Sequence, residues 1–325
     1  MIKTRRTILA SGLFGALAIA CESIPVRALT WPQRLVKFIV PFGPGAGADI
    51  GARVLADKLQ TKWGKPVIVE NRPGGDSMVA ITGFLNADDD HTFLFAPAGN
   101  FTVHPFIYSQ LPYDPKELIP IARVSNTILA VAVNADSPFR TIKDFTEAAR
   151  AAPGKFNAAM VQGITEFTFW GYEYAEGLEI VQVPYRDITA SAVDLGEGRI
   201  QIVMLSYAMM QAQAQAGRIR VLLVSNATRA PVLPDVPTAR EAGCSPLEVE
   251  GLVGLFGIKT IPEELREKIA ADVMAVTADG EIADRLKATG QVINVGGPKE
   301  FADAIATQRA KIAATVKAIN FKPKL

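Results

Sequence analysis

Short apolar runs that read as strands alternate with stretches of helical spacing over most of this 325-residue chain, and that alternation constrains the fold more than any other feature. Residues 35–41 form a β-like run, 50–63 carry apolar residues at helical spacing, and 66–70 form a second strand ending in "ENRPGG". Together they make a β-loop-α-β unit. Residues 79–85 continue as helix, "ADDDHT" turns, and 93–96 give a third strand, so a parallel sheet is expected. A further strand at 128–133 ends this unit. The second unit repeats the pattern: a strand at 156–161, a helix at 165–176, "EIVQVPY", a helix at 190–197, "IQIVML", a helix at 208–216, and "IRVLLVS". Between the two units, Thr141 is placed to cap a helix. After the proline-rich "RAPVLPDVPTAREAGC" the strand "VGLFGIK" returns, and three amphipathic helices follow near 262–278, 281–289 and 298–319. Those helices cannot form a domain alone, so they belong on the first unit. The expected fold is α/β, with two lobes joined by two crossing strands and a ligand cleft between them. Lobe 1 spans 29–133, lobe 2 spans 134–244, and 245–325 return to lobe 1.

The first 28 residues read differently. Lys3, Arg5 and Arg6 precede an apolar run from Ile8 to Ala20, and Val26-Arg27-Ala28 offers a small-residue cleavage site, the pattern of an export signal. Thr4-Arg5-Arg6-Thr7 resembles a twin-arginine motif, although arginine pairs are common in ordinary signals. Ala18-Ile19-Ala20-Cys21 resembles a lipoprotein box lacking its usual leucine, so cleavage after Ala28 is favoured over a lipid anchor at Cys21. The expected location is the periplasm. Cleavage removes four basic residues (Lys3, Arg5, Arg6, Arg27) and one acidic residue (Glu22), turning the formal charge from +1 to −2. A near-neutral surface excludes a nucleic-acid partner, which needs a concentrated basic face. Cys244 would be the one remaining cysteine, so no internal disulfide holds the exported protein and two hydrophobic cores must do so.

The stretch "PFGPGAGADIGAR", residues 41–53, bears most directly on chemistry. Gly43, Gly45 and Gly47 follow a strand and open a helix, and Glu70 ends the next strand, which invites a reading as a dinucleotide-binding oxidoreductase using the Gly43-to-Gly47 loop. Counting argues against it. From Gly45 the third fingerprint glycine falls on Ile50, from Gly43 it falls on Ala48, and Asp49 would repel a pyrophosphate. A phosphate loop also fails, because no Gly-Lys-Ser/Thr follows. What remains is a glycine-rich turn whose backbone N–H groups, backed by a helix N-terminus, bind a carboxylate. The residues alone support that cup and a plain tight turn equally. Catalysis has little support. His91 and His104 are isolated, Asp88-Asp89-Asp90 reads as a solvated turn, and no Gly-x-Ser-x-Gly occurs. Neither a cofactor nor a metal is expected.

Five segments in order, "WPQRLVKFIVPFGPGAGADIGARVLADKL", "GKPVIVENRPGG", "LPYDPKELIPIARV", "VQVPYRDITASAVDLGEGRIQIVM" and "RAPVLPDVPTAREAG", resemble the extracytoplasmic solute receptors of the tripartite tricarboxylate transporter family, often called Bug receptors. The resemblance runs from Trp31 to the C-terminus. It implies a periplasmic-binding-protein fold of the second type, closure of a monomer on a small carboxylate, hand-over to a membrane permease of two subunits, and no catalysis. It further implies that the loop after the first strand, Phe42, Gly43, Gly45, Ala46, Gly47, Ala48 and Asp49, meets one carboxylate through N–H groups and water. Asp49 either caps the helix or holds that water. Ala98, Asn100 and Thr102, in the loop after the third strand, and Ser206 and Tyr207, at the end of "IVMLSY", resemble further walls of the cleft.

The second lobe departs from the family pattern. Where relatives carry G-x-G-S-x-x-H, this chain has Met160, Val161, Gln162, Gly163, Ile164, Thr165 and Glu166. A donor-rich clasp has become bulkier, more apolar and acidic. An added carboxylate at Glu166 disfavours a di- or tricarboxylate, and increasingly so as water is excluded. Met160, Ile164, Phe167 and Trp170 could pack an apolar body, although helical aromatics usually belong to the core. The expected ligand is a monocarboxylate with an aromatic or amide-bearing body.

Overall fold

A computed structural model describes residues 31–160, 163–185 and 188–323. The expected export signal therefore lies outside the described residues. The first elements are β1 (Val36–Val40), α1 (Gly47–Trp63), β2 (Val67–Asn71), α2 (Met78–Leu85), β3 (Thr92–Pro97), α3 (Ala98–Ile107) and β4 (Ile119–Thr127). Then come β5 (Leu129–Asn134), α4 (Ile142–Ala151), β6 (Asn157–Met160), α5 (Ile164–Glu176), β7 (Val181–Pro184), α6 (Ile188–Gly196), β8 (Ile202–Ser206), α7 (Tyr207–Gln215) and β9 (Ile219–Val224). The chain closes with β10 (Gly251–Gly257), α8 (Glu263–Thr277), α9 (Gly280–Ala288), β11 (Gln291–Gly296) and α10 (Pro298–Ala318).

Two sheets result. The first has the order β11-β4-β10-β3-β1-β2 and the second β7-β6-β8-β5-β9. The expected parallel pairing holds for β1 with β2 and for β1 with β3, whereas β10 runs antiparallel to β3 and β4, and β11 antiparallel to β4. Each sheet carries its own core. Phe38, Phe93, Phe95 and Phe256 are fully buried in the first. Along β5 the period-2 geometry sends Leu129, Val131 and Val133 to one face and Ala130 and Ala132 to the other, and both faces are covered.

β5 belongs to the second sheet, so the first changeover falls at Ile128, ahead of the expected boundary after Val133. On the return, Cys244, Leu247 and Val249 still pack in the second lobe's core, and the chain re-enters the first sheet only at Gly251. α10 also does more than return to lobe 1. Its Phe301 packs at a tilt against Phe256, whereas Lys311 donates to the carbonyls of Ser245 and Glu248, Gly171 of α5 fits closely under Thr315, and Phe321 just beyond the helix packs on Phe167 and Trp170. The helix spans both lobes beside the crossing strands.

Candidate functional site

The loop after β1 folds back on itself before α1 begins. Ala46 N donates to Gly43 O at 3.3 Å, Gly45 takes φ of 88°, and Ala46 occupies the N-cap position with extended backbone and no side chain able to cap. The amides of Gly47, Ala48 and Asp49 consequently have no acceptor among the described residues. Asp49 is 1% exposed, and both its oxygens are used inside the loop. Oδ2 accepts from Gly45 N at 2.9 Å and from Arg53 Nε at 3.1 Å, while Oδ1 accepts from Asn71 Nδ2 at 2.7 Å and faces Arg53 at 3.0 Å. Burial pushes this carboxyl up, but the bonds from Arg53, Asn71 and Gly45 outweigh it and hold it below the ordinary range. Asp49 thus shapes the cup, with both oxygens turned to Gly45, Arg53 and Asn71, and it does not occupy the N-cap.

Asn71 also donates to Phe42 O at 2.9 Å, so one side chain from the end of β2 braces the whole turn. The glycines are exposed or half-buried and Phe42 is half-buried against the first core. The predicted loop residues 42–49 therefore come together as a single unit.

The segment expected as a loop after β3 is the start of α3, with Pro97 at its N-cap and no side-chain cap. Ala98 and Asn100 lie in its first turn, and Asn100 Nδ2 meets Ser77 Oγ at 2.6 Å. Thr102 is turned away, buried, with its hydroxyl 2.9 Å from Gln308 Oε1 of α10. In the second lobe Gly163 is the N-cap of α5 with φ of 116°, and α5 again lacks a side-chain cap. Ile164 abuts Gly99 so closely that a Cβ there would stand 2.9 Å from Ile164 Cγ2, which fixes this point as a contact between lobes. Thr165 is buried and Glu166 stands in the first turn of α5. Gln162 and the Met160 side chain lie outside the described residues. Ser206 is the uncapped N-cap of α7, and Tyr207 is buried in the second lobe's core rather than lining an open wall. Phe167 and Trp170 pack with Phe321, Val103 and Ile312, so these aromatics serve the core between α3, α5 and α10.

α1, α3, α5 and α7 thus start without side-chain caps, as α2 and α8 also do, and each of these four follows a strand whose parallel partner carries another of them. α4 and α9, by contrast, are capped by Thr141 and Asp279. An uncapped helix start presents N–H groups and about half a positive charge, worth up to ~2 kcal/mol to an anion in a partly buried setting. The starts approach each other in two pairs across the lobes. Gly99 of α3 touches Ile164 of α5, and the 289–291 segment stands between α1 and α7: Gln291 Nε2 donates to Gly47 O at 2.7 Å, and Gly290 packs against Ala208. Asn71, Ser77 and Gln291 brace the candidate site and were missed by sequence reasoning. "ENRPGG" was a signal for Asn71, and nothing local marks Gln291.

Glu70, the acid a dinucleotide reading requires, lies 2.7 Å from Lys37 Nζ and 2.5 Å from Arg72 Nε, bonds that hold its carboxyl below the ordinary range. It is not available to a ribose. His91 Nε2 accepts from Gln33 N and His104 lies against Tyr113 and Asp76, both structural roles. No helix among the described residues is long and apolar enough to cross a membrane.

Residues 51–321 match the family described as "Tripartite tricarboxylate transporter family receptor". The chain is 32% identical to "UPF0065 protein in tcbD-tcbE intergenic region" of Pseudomonas sp. (strain P51), over 92% of this chain and 90% of that protein. Among solved structures it is similar to "Structure of a periplasmic transporter", with 29% identity, a TM-score of 0.76, and coverage of 90% and 99% of the two chains. It has the fold of Rpa4515 of R. palustris, solved with adipate, at 24% identity and a TM-score of 0.76 over 90% and 100% of the two chains.

Proposed function

The chain belongs to the tripartite tricarboxylate transporter receptor family, and on that premise we propose that it is a periplasmic receptor that closes on a small monocarboxylate and delivers it, as a monomer, to a membrane permease of two subunits. The first 28 residues serve export. The observation that carries the reading is the three unspent amides at Gly47, Ala48 and Asp49, at one of four uncapped helix starts brought close in pairs where the lobes meet. Main-chain donors grip one acid group without a formal cation, since Arg53 is already engaged by Asp49 and Asn71. Rpa4515 was solved with adipate, a diacid. Here the second lobe places Glu166 in the first turn of α5, where its own carboxylate complements the helix start and opposes a second ligand carboxylate. With Phe167 and Trp170 committed to the core, an aromatic ligand body loses its sequence argument. A neutral polar end, such as an amide, keeps it.

Titration calorimetry with benzoate, butyrate, glutamine, adipate and citrate tests the proposal. At least one monocarboxylate is expected to bind with Kd on the order of micromolar, with adipate and citrate at least about tenfold weaker. Citrate binding best would overturn the second-lobe argument, and no binding by any acid would overturn the receptor reading.

A further inference from the structure

The turn between β2 and α2 carries two side chains where the backbone suits glycine. Gly74, Gly75, Asp76 and Ser77 have φ of 118°, 54°, 50° and 70° in succession. For the last two, Cβ makes the left-handed region unfavourable. Such strain persists where surrounding structure enforces it, and it clusters at functional sites. Both side chains are held. Asp76 Oδ2 lies 3.1 Å from Nε2 of the fully buried His104 and 3.3 Å from the Tyr108 hydroxyl, and His104 Nδ1 lies 2.6 Å from the Tyr113 hydroxyl. Ser77, 6% exposed, meets Asn100. Asn100 neighbours Gly99, where α3 touches Ile164 of the other lobe, so the Ser77–Asn100 pair stands beside the contact between lobes.

That pair has hydrogen-bonding capacity to spare. Asn100 Nδ2 donates to Ser77 Oγ, so the serine keeps its own hydroxyl proton. That hydroxyl proton has no acceptor among the described residues. We propose that Ser77, positioned by Asn100 and by the Asp76–His104–Tyr113 brace, is a specificity-determining residue that donates to an uncharged oxygen of the bound acid, a hydroxyl or an amide carbonyl. This rests on the receptor reading above. The oxygen is uncharged because a serine hydroxyl and an asparagine amide offer no formal positive charge to hold a second carboxylate.

The test is calorimetry with two matched pairs, butyrate with 4-hydroxybutyrate and benzoate with 4-hydroxybenzoate, on the wild type, Ser77→Gly and Ser77→Ala. The wild type is expected to prefer the hydroxylated acid of at least one pair by about tenfold, the value of one hydrogen bond, and both variants to fall below about threefold. Ser77→Gly also relieves the backbone, so its Tm stays level or rises while the preference is lost, which separates recognition from unfolding. A wild type without preference, or a Ser77→Gly protein that retains it, overturns the proposal alone. Failure of the wild type to bind any of the four acids removes the receptor reading and this inference with it.

Discussion

Asp49 sets the character of the site at the scale of single residues. As the third residue of a helix beside a glycine loop, its position was legible in "GPGAGAD", but its direction was not, because a side chain there can point at the cleft or back at its own turn. The structure turns it back, where four donor contacts from Gly45, Arg53 and Asn71 surround it. Asp49→Ala leaves those donors without their acceptor and is expected to cost about 2–3 kcal/mol in urea unfolding. It should also weaken carboxylate binding at least about tenfold as the turn slackens. The pH dependence follows from the lowered carboxyl. Its stabilisation is present above the unfolded-state value of about 4 and is lost as pH falls through the lower folded value, so unfolding monitored from pH 7 to pH 2 should show the wild type losing its advantage over Asp49→Ala only in acid.

At the scale of elements, strands with continuous apolar runs and helices with strong punctuation could be read from sequence. "LAVAV" is buried on both faces as β5, and Thr141 forms the capping box expected of it with Asp144. β4 and β11 could not be read. Pro120 and Arg123 interrupt the first, the interior of the second is only half-buried, and both owe their existence to partners far away in sequence. α3 was taken for a loop because Gly99, Asn100 and Pro105 obscure its helical spacing. α5 carries a consequence invisible in sequence. Its Glu173 lines an apolar groove of about 640 Å³ with Trp170, Tyr174 and Phe321, accepts one bond from Gln182, and is pushed up to about 7 by burial. Glu179 shares the groove and Glu176 is paired with Arg150, so no cation among the described residues offsets that burial. A raised acid favours folding while protonated. The contribution of Glu173 is therefore most favourable below about pH 4.5, falls between 4.5 and 7, and is level above. Glu173→Gln should raise the urea midpoint at pH 8, by about 2 kcal/mol of stability, and leave it nearly unchanged at pH 4.5. An equal change at both pH values would contradict this.

For the whole molecule, two cores are joined by two crossings, while α10 and the Phe167–Trp170–Phe321 cluster bind the lobes along one side. The family and the two-lobed plan were legible because five motifs recur in order; the meeting of α1 with α7 through residues 289–291 was not, because it depends on β11. The central claim is that main-chain amides, not a charged side chain, hold the acid group. The most direct measurement is the amide proton shift of Gly47 and Ala48 by NMR as the best-bound monocarboxylate is titrated in. Downfield shifts at both amides that saturate with the calorimetric Kd are the predicted result; saturable binding that leaves both amides unmoved would contradict the account.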